Sequence, residues 1–560
     1  MDVYDDILDI VKNVDDLEGF LTECPRDAYA YNLSVIRHNI LEWYDFREGA
    51  RLLELGAGCG ALTGLLCEKL GEVTAVDKNA RKCTVNSLRN NEYSNLTIDC
   101  IDILSRKASK RFEHNYDYVT MVGIYNEEVL GFAKNHLEED GTLIVALDKD
   151  YDKSVAGLKR NGFDITDIYY PFPDYKLPVE IYNKDYISEN AIKGNNNSYI
   201  LMCQPKSTIS NHSTNKTLYA KYNSRRKPEY QVATYIVSEN GQKKVIKKPQ
   251  SNKAAKHIDT ILENYDKLKG IYKDINVVPY KRVGDHLESE YIEGSNLADT
   301  VDLTELLTDN KDRVVTQLSE TIDNLRLQGL GVCNLDAVLS NFIITDTGMS
   351  CIDYEWVVDE VVSTEFWKYR ILLYFYIDNI KKLETKYTLE EFVSLFGYND
   401  KDTELYRNME VDFQAKIGGP NYKYAYMDRL TTKESNLSKV KKLNGSARKR
   451  LKPGKTPIRY CIDTLDVGDD VVTIEGWVIW PDKKNNNNID VKLILDSEDN
   501  SYMITTEKVY RQDVADVNGD VANSENTGFK SVFIRSQTES VEYIILLTEG
   551  KKLYRINKRM

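Results

Sequence analysis

The segment Arg51–Gly60, RLLELGAGCG, runs an apolar strand straight into glycines at positions 56, 58 and 60. Glycines spaced this way let the backbone turn through conformations closed to other residues and let a ligand approach the main chain. The helix that follows offers unpaired N–H groups. A strand this apolar needs both faces covered. Residues 33–205 supply the cover: RLLEL, EVTAVD, YDYVTMVG and GTLIVAL alternate with helical patterns, the mark of a parallel sheet flanked by helices.

The turn is compatible with two kinds of cofactor. Gly56, Gly58 and Ala61 satisfy the G-x-G-x-x-G/A dinucleotide fingerprint, and Asp77, ending the next strand, suits a ribose in either case. Three features favour S-adenosylmethionine: Glu54 ahead of the glycines, the third glycine at Gly60, and a leader helix upstream. The run E-L-G-A-G-C-G resembles motif I of class I methyltransferases. That resemblance implies a Rossmann-like α/β fold in which Glu54, Gly56, Gly58, Gly60, Asp77 and Asp102 bind the cofactor, Asp102 near the adenine. LSVIRHNILEWYDF and YYPFPDYKLP (Tyr169–Pro178) resemble methyltransferases of bacterial cell-surface polysaccharide synthesis. The chain departs from them after GTLIVAL, where DKDYDKSVAG replaces a long acceptor-side insertion, so the methyl-acceptor pocket is expected to be shortened or lost.

At 560 residues the chain exceeds the ~250–300 at which single cores stop growing. The polar stretch Gln204–Thr217 reads as a joint, giving residues 1–205 as one domain and 218–430 as the next. The second domain opens strand-rich, with a hairpin at Asn240-Gly241, and turns helical after Ala298. The basic run Lys439–Lys455 reads as a solvated linker within 431–456, or else as a contact for anionic lipid or phosphorylated glycan. Residues 457–560 return to short strands and read as an antiparallel β-sandwich. There Trp477 and Trp480 read as packing residues rather than a carbohydrate platform. The architecture expected is thus α/β multidomain.

Within 218–430, NLDAVLSNFIITDTGMSCIDYEW places Asn341 five residues after Asp336 and Asp353 twelve residues later at a strand end. Phosphoryl transfer needs a carboxylate to orient the acceptor hydroxyl, ligands for Mg²⁺ and a lysine on the nucleotide. Asp336 suits the first role and Asn341 and Asp353 the second. Lys247, in KVIKKP, suits the third, with Lys248 as its possible confusion and Glu263 as its helical partner. No glycine cluster precedes them. Arg225 and Arg226 read either as phosphate contacts or as a solvated turn, and Glu290–Leu297 reads as a hinge between lobes. These spacings resemble the aminoglycoside-phosphotransferase-like or lipopolysaccharide-kinase branch of the kinase fold. The resemblance implies ATP and Mg²⁺.

The pairing of the two domains resembles the bifunctional chain-terminating kinase/methyltransferase of bacterial O-antigen synthesis. It implies a polysaccharide or lipid-linked glycan acceptor, with glycosyltransferases as partners. The coiled coil of that protein is missing; YRQDVAD and TGFKSVF instead resemble a β-sandwich appended to some bacterial glycosyltransferases. A scaffold that keeps both folds without catalysis is the rival expectation.

A net charge of −14 argues against a nucleic-acid binder, since phosphate backbones need a positive footprint. Nine scattered cysteines form no metal-type cluster and read as reduced thiols. His114 and His136 read as surface residues. An acidic, amphipathic start and the lack of a ~20-residue apolar run predict a cytoplasmic protein, at most peripheral to the inner membrane face.

Overall fold

The computed structural model describes all residues except 1–2, 25, 109–110, 113, 149–150, 191–197, 207–214, 273, 309, 327–330, 360–361, 420–437, 439, 444–451, 454–456, 468–470, 482–490, 497–500, 519–520, 522, 535–543, 550–551 and 560. The chain divides into two compact units, Met1–Met427 and Asp428–Met560.

The first unit opens with helices α1 (Val3–Asn13), α2 (Leu17–Glu23) and α3 (Asp27–Leu33). Strands β1 (Arg51–Leu55), β2 (Glu72–Asp77), β3 (Leu96–Cys100), β4 (Tyr116–Val122) and β5 (Leu137–Leu147) are joined by parallel pairings. Helices α4 (Thr63–Lys69), α5 (Ala80–Arg89) and α6 (Glu127–Asn135) connect them, and α7 (Tyr151–Arg160) leads on to β6 (Phe163–Phe172). β7 (Glu180–Asn183), α8 (Lys184–Asn190) and β8 (Tyr199–Pro205) complete the stretch. β8 lies antiparallel between β5 and β6. The order β3-β2-β1-β4-β5-β8-β6 is that of a Rossmann-like doubly wound sheet. Its strands are apolar on both faces because helices cover both: Leu52, Leu53, Val119, Ile144 and Val145 are all fully buried.

The sheet does not stop at the expected joint. β9 (Lys216–Tyr222) pairs with β7, Ile181 opposite Ala220, and β10 (Val232–Glu239) and β11 (Gln242–Pro249) continue from it. The β10–β11 turn is the expected hairpin, with Asn240 and Gly241 both at positive φ. After α9 (Ala255–Leu268) and β12 (Ile275–Val277), β13 (Lys281–Val283) and β14 (His286–Glu290) close a sheet of 13 strands. Ile40, Leu52, Ile181, Ala220 and Tyr235 share one core across this junction. The sheet thus runs on from residues 1–205 into 218–430, while each part also keeps a core of its own, around Leu53, Val119 and Leu201 in the first and around Ile258, Phe342 and Phe392 in the second; of the polar joint, 207–214 lie outside the described residues.

β15 (Ser295–Asn296) follows directly on β14. Helices α10 (Leu303–Leu306) and α11 (Asp312–Asn324) precede β16 (Cys333–Asn334). β17 (Phe342–Thr345) and β18 (Gly348–Cys351) form a small sheet with β12 and β15, and β19 (Val357–Val358) pairs with β16. Helices α12 (Thr364–Asp378), α13 (Ile380–Leu383), α14 (Leu389–Ser394) and α15 (Asp400–Ile417) end the unit. The chain thus passes from a strand-rich lobe to a mainly helical one through residues 290–295.

In the second unit one sheet holds β20 (Val440–Lys442), β21 (Lys452–Pro453), β24 (Val491–Asp496), β25 (Ser501–Thr505), β28 (Ile544–Glu549) and β29 (Lys552–Arg559). A second holds β22 (Arg459–Val467), β23 (Val471–Ile479), β26 (Glu507–Val509) and β27 (Gly528–Ile534). Val472, Leu493, Tyr502 and Phe533 share the core between them. The basic run is thus not only a linker, because Val440–Lys442 pairs with β25 and Lys452–Pro453 with β29. Trp480 is fully buried in this core, as a packing reading expects, and Trp477 is partly buried. His136 departs from the surface reading: it is buried and stacks on Phe132 at 4.1 Å. Among the described residues no helix is long and apolar enough to cross a membrane.

Candidate functional site

The strand order reverses between β1 and β4, and in open α/β sheets a crevice forms at the carboxyl ends of strands at such a point. The glycine turn lies there. Gly56, Gly58 and Gly60 all have positive φ, but they serve different ends. A Cβ on Gly60 would lie 2.3 Å from Asn86 Oδ1, so this glycine lets the turn settle onto α5. A Cβ on Gly58 would meet nothing closer than 3.9 Å, which leaves the main chain there open to a ligand.

Beneath the turn, buried polar groups satisfy one another. Thr63 Oγ1 donates to Glu54 Oε2 at 2.6 Å and accepts from Asn86 Nδ2 at 3.1 Å. Burial pushes the Glu54 carboxyl up to about 7 despite the Thr63 hydrogen bond. Glu54 therefore supports the turn from below. Asp77 Oδ2 accepts from the Gly58 N–H at 3.0 Å and Oδ1 from the Asn79 N–H at 2.9 Å, tying the turn to the start of α5. Asp102 is exposed two residues past Cys100, the β3 residue paired with Asp77, and accepts from the Leu104 N–H at 3.0 Å. The expected residues of this site are thus gathered at one sheet edge.

Sequence reasoning missed the opposite wall of the crevice. Gly123, just after β4, lies beneath the Tyr31 and Tyr175 hydroxyls, 2.9 and 3.2 Å from where its Cβ would be. Buried Arg37 donates through Nη1 to the Tyr175 and Lys176 carbonyls at 2.9 and 2.7 Å and lies over the Tyr31 ring. The YYPFPDYKLP segment is thereby folded back toward the glycine turn. β5 ends at Leu147 and α7 begins at Tyr151.

The second cluster forms where the strand-rich and helical lobes meet. Lys247 points inward from β11 while Lys248, its neighbour, is partly exposed near Glu42. The Lys247 ammonium lies 3.0 Å from Asp353 Oδ1 and also pairs with Glu355. Burial disfavours its charge, but the two carboxylates outweigh that and hold its pKa well above the usual lysine value. Glu263 is not its partner. It is exposed on α9, while Asn264, one position on, faces inward and donates to the Tyr354 and Glu355 carbonyls at 3.0 Å each.

Asp336 and Asn341 are bound to this cluster through the backbone. Asn341 Nδ2 donates to the Asp336 carbonyl at 2.9 Å, and the Ile352 N–H to the Asn341 carbonyl at 3.0 Å. Asp336 Oδ2 accepts from the Trp356 N–H at 2.8 Å. Burial, reinforced by the nearby Asp353 charge, pushes the Asp336 carboxyl up to about 6. Asp353 and Asn341 offer hard oxygen donors, which suit Mg²⁺.

The loop between β9 and β10 is no solvated turn. Arg226 pairs with Glu355 and lies over Trp356, its guanidinium 5.4 Å from the ring centroid. The Lys227 N–H donates to the Ile417 carbonyl at 2.8 Å and the Gly419 N–H to the Arg225 carbonyl at 2.7 Å, so the end of α15 pins the loop. Glu355, 3% exposed and held well below the usual carboxylate range by Arg226 and Lys247 against the cost of burial, is the hub that sequence reasoning overlooked.

No protein-family model matches the chain. No curated protein matches it either. Among solved structures, a precorrin-6y methyltransferase of Geobacter metallireducens is 14% identical over 30% of this chain and 86% of its own, with a TM-score of 0.23. A TehB-like SAM-dependent methyltransferase of Corynebacterium glutamicum is 14% identical over 34% and 98%, at 0.25. The N-methyltransferase NodS of Bradyrhizobium japonicum is 12% identical over 30% and 93%, at 0.24. At such scores these likenesses carry no weight about activity. The Rossmann-like fold of the N-terminal part rests on its own strand order.

Proposed function

We propose that the chain is a two-site transferase of bacterial surface-glycan synthesis, with an S-adenosylmethionine-dependent methyltransferase site in residues 30–205 and a kinase-like site in residues 216–419. The observation that carries the reading is the convergence of Lys247, from β11, with Asp336, Asn341 and Asp353, from one loop-and-hairpin about 100 residues further on, in one cluster between two lobes. Random packing has no reason to bring a buried lysine, two carboxylates and a carboxamide together in this order.

Bound ATP with Mg²⁺ would supply the electrophilic phosphoryl group, and Asn341 and Asp353 would hold the metal. Lys247 is kept cationic for phosphate oxygens by its carboxylates. Asp336 accepts the Trp356 N–H through one oxygen, which fixes the carboxylate and leaves the other to orient an acceptor hydroxyl. At the first site the open face of Gly58 and the crevice beside Asp77 fit S-adenosylmethionine, which would supply a sulfonium methyl. Tyr31 and Tyr175 would exclude water from it. A sugar hydroxyl or its phosphate ester is the acceptor class that joins the two chemistries.

A second reading has one observation in its favour. Arg226 already occupies Glu355, and α15 pins its loop, so the cluster is closed on itself. A scaffold with retired sites would look the same. Calorimetric titration with ATP and Mg²⁺ separates the readings: micromolar binding abolished by Asp353→Ala supports the enzyme, and no binding supports the scaffold.

A further inference from the structure

A cavity of about 510 Å³ opens beside Asp336, and its wall is drawn from both parts of the first unit. Trp356 and Tyr374 come from the helical side; Phe172, Val179 and Glu180 come from the two ends of the turn that joins β6 to β7. That turn is firmly held. The Val179 N–H donates to the Phe172 carbonyl and the Tyr222 N–H to the Val179 carbonyl, each at 2.8 Å. Its middle residue, Tyr175, reaches the other way, over Gly123 in the glycine crevice. One turn therefore forms a wall of both sites.

The charges in the cavity wall nearly cancel. Arg226 is paired with Glu355, and Arg370 Nε lies 2.9 Å from Glu410 Oε2, both carboxylates lying behind the wall. Lys221 and Arg225, exposed at the rim, are matched in number by Asp336 and Glu180. The cavity thus combines aromatic surface with hydrogen-bonding groups and little net field, which suits a neutral polyhydroxylated ligand better than a strong anion.

We propose that this cavity binds the phosphoryl acceptor as a neutral sugar, with Phe172, Val179 and Glu180 making the methyltransferase-like part a specificity determinant of the kinase-like site. The proposal rests on the kinase-like reading of Asp336. An acceptor whose hydroxyl meets Asp336 lays its far side on the turn that also closes the methyl-transfer crevice.

The test uses the full chain. Methyl glycosides of neutral hexoses and of hexuronic acids are titrated by saturation-transfer NMR, and ATP with Mg²⁺ by calorimetry, on the wild type, Phe172→Ala and Glu180→Gln. Expected are binding of neutral glycosides, at least fivefold weakening in both variants, and unchanged ATP affinity. Glu180→Gln keeps side-chain volume and decides the matter if Phe172→Ala does not fold. Binding of no glycoside, a preference for hexuronic acids, or affinity indifferent to both variants overturns the proposal while intact ATP binding preserves the kinase-like reading. Absent ATP binding removes that reading, and the glycoside titration still decides the cavity.

Discussion

Lys247 and Glu355, 108 residues apart in the chain, meet as an ion pair in which each side chain is 3% exposed. The lysine on β11 takes its carboxylates from the Asp353–Glu355 segment and none from the helix α9. That helix reaches the lysine indirectly, through the Asn264 hydrogen bonds to the Tyr354 and Glu355 carbonyls.

Removing one member of a buried pair strands the other charge, at a cost of about 3–5 kcal/mol. Glu355→Ala is expected to lower unfolding stability by that order, whereas Glu263→Ala on the exposed face of α9 changes it by less than about 0.5 kcal/mol. Denaturant unfolding of the two variants measures the contrast.

The same pair shows where sequence reading succeeds and where it stops. Asp336, Asn341 and Asp353 were legible because their spacing is set by one local loop-and-hairpin. Glu263 was misjudged by a single residue: one step on a helix turns the side chain by about 100°, from solvent to the Asn264 position facing the cluster. The roles of Glu355 and Arg226 depend on contacts more than 100 residues apart, which no local pattern reports. The glycine turn was legible through its own backbone demands, but the crevice wall of Tyr31, Arg37 and Tyr175 was not, since nothing around Tyr31, in LSVIRHNILEWYDF or in YYPFPDYKLP tells which residues face the crevice. The continuous sheet was hidden by a polar joint between β8 and β9 that composition alone reads as a boundary.

The three glycines of the turn are expected to respond differently. Gly60→Ala collides with Asn86 and Asn90 and should both destabilise the fold and displace the turn. Gly58→Ala meets open space and carries only the strain of positive φ, about 1–2 kcal/mol, yet its methyl group enters the ligand's path. Thermal unfolding with S-adenosylmethionine titration should show Gly58→Ala largely folded but weakened in binding.

Glu54 makes stability fall with rising pH. Its folded pKa of about 7 lies above the ordinary 4.5, so the native state binds more protons than the unfolded one across that window and loses stability through it. Glu54→Gln should therefore raise the melting temperature at pH 8 and much less at pH 5. An equal shift at both pH values would show that the carboxyl is not titrating in that window.

Asp336 sets an acid limb for phosphoryl transfer. With its carboxyl pushed up to about 6, turnover should climb as pH rises through 6 and level off above it. Asp336→Asn should lose at least a hundredfold in turnover and also lose that limb, while ATP affinity is retained.

The most direct measurement is calorimetric titration of the full chain with S-adenosylmethionine and, separately, with ATP and Mg²⁺, each repeated on Asp353→Ala. Two saturable sites, with only the nucleotide site lost in the variant, are the predicted result. Binding of neither ligand would contradict the two-site account.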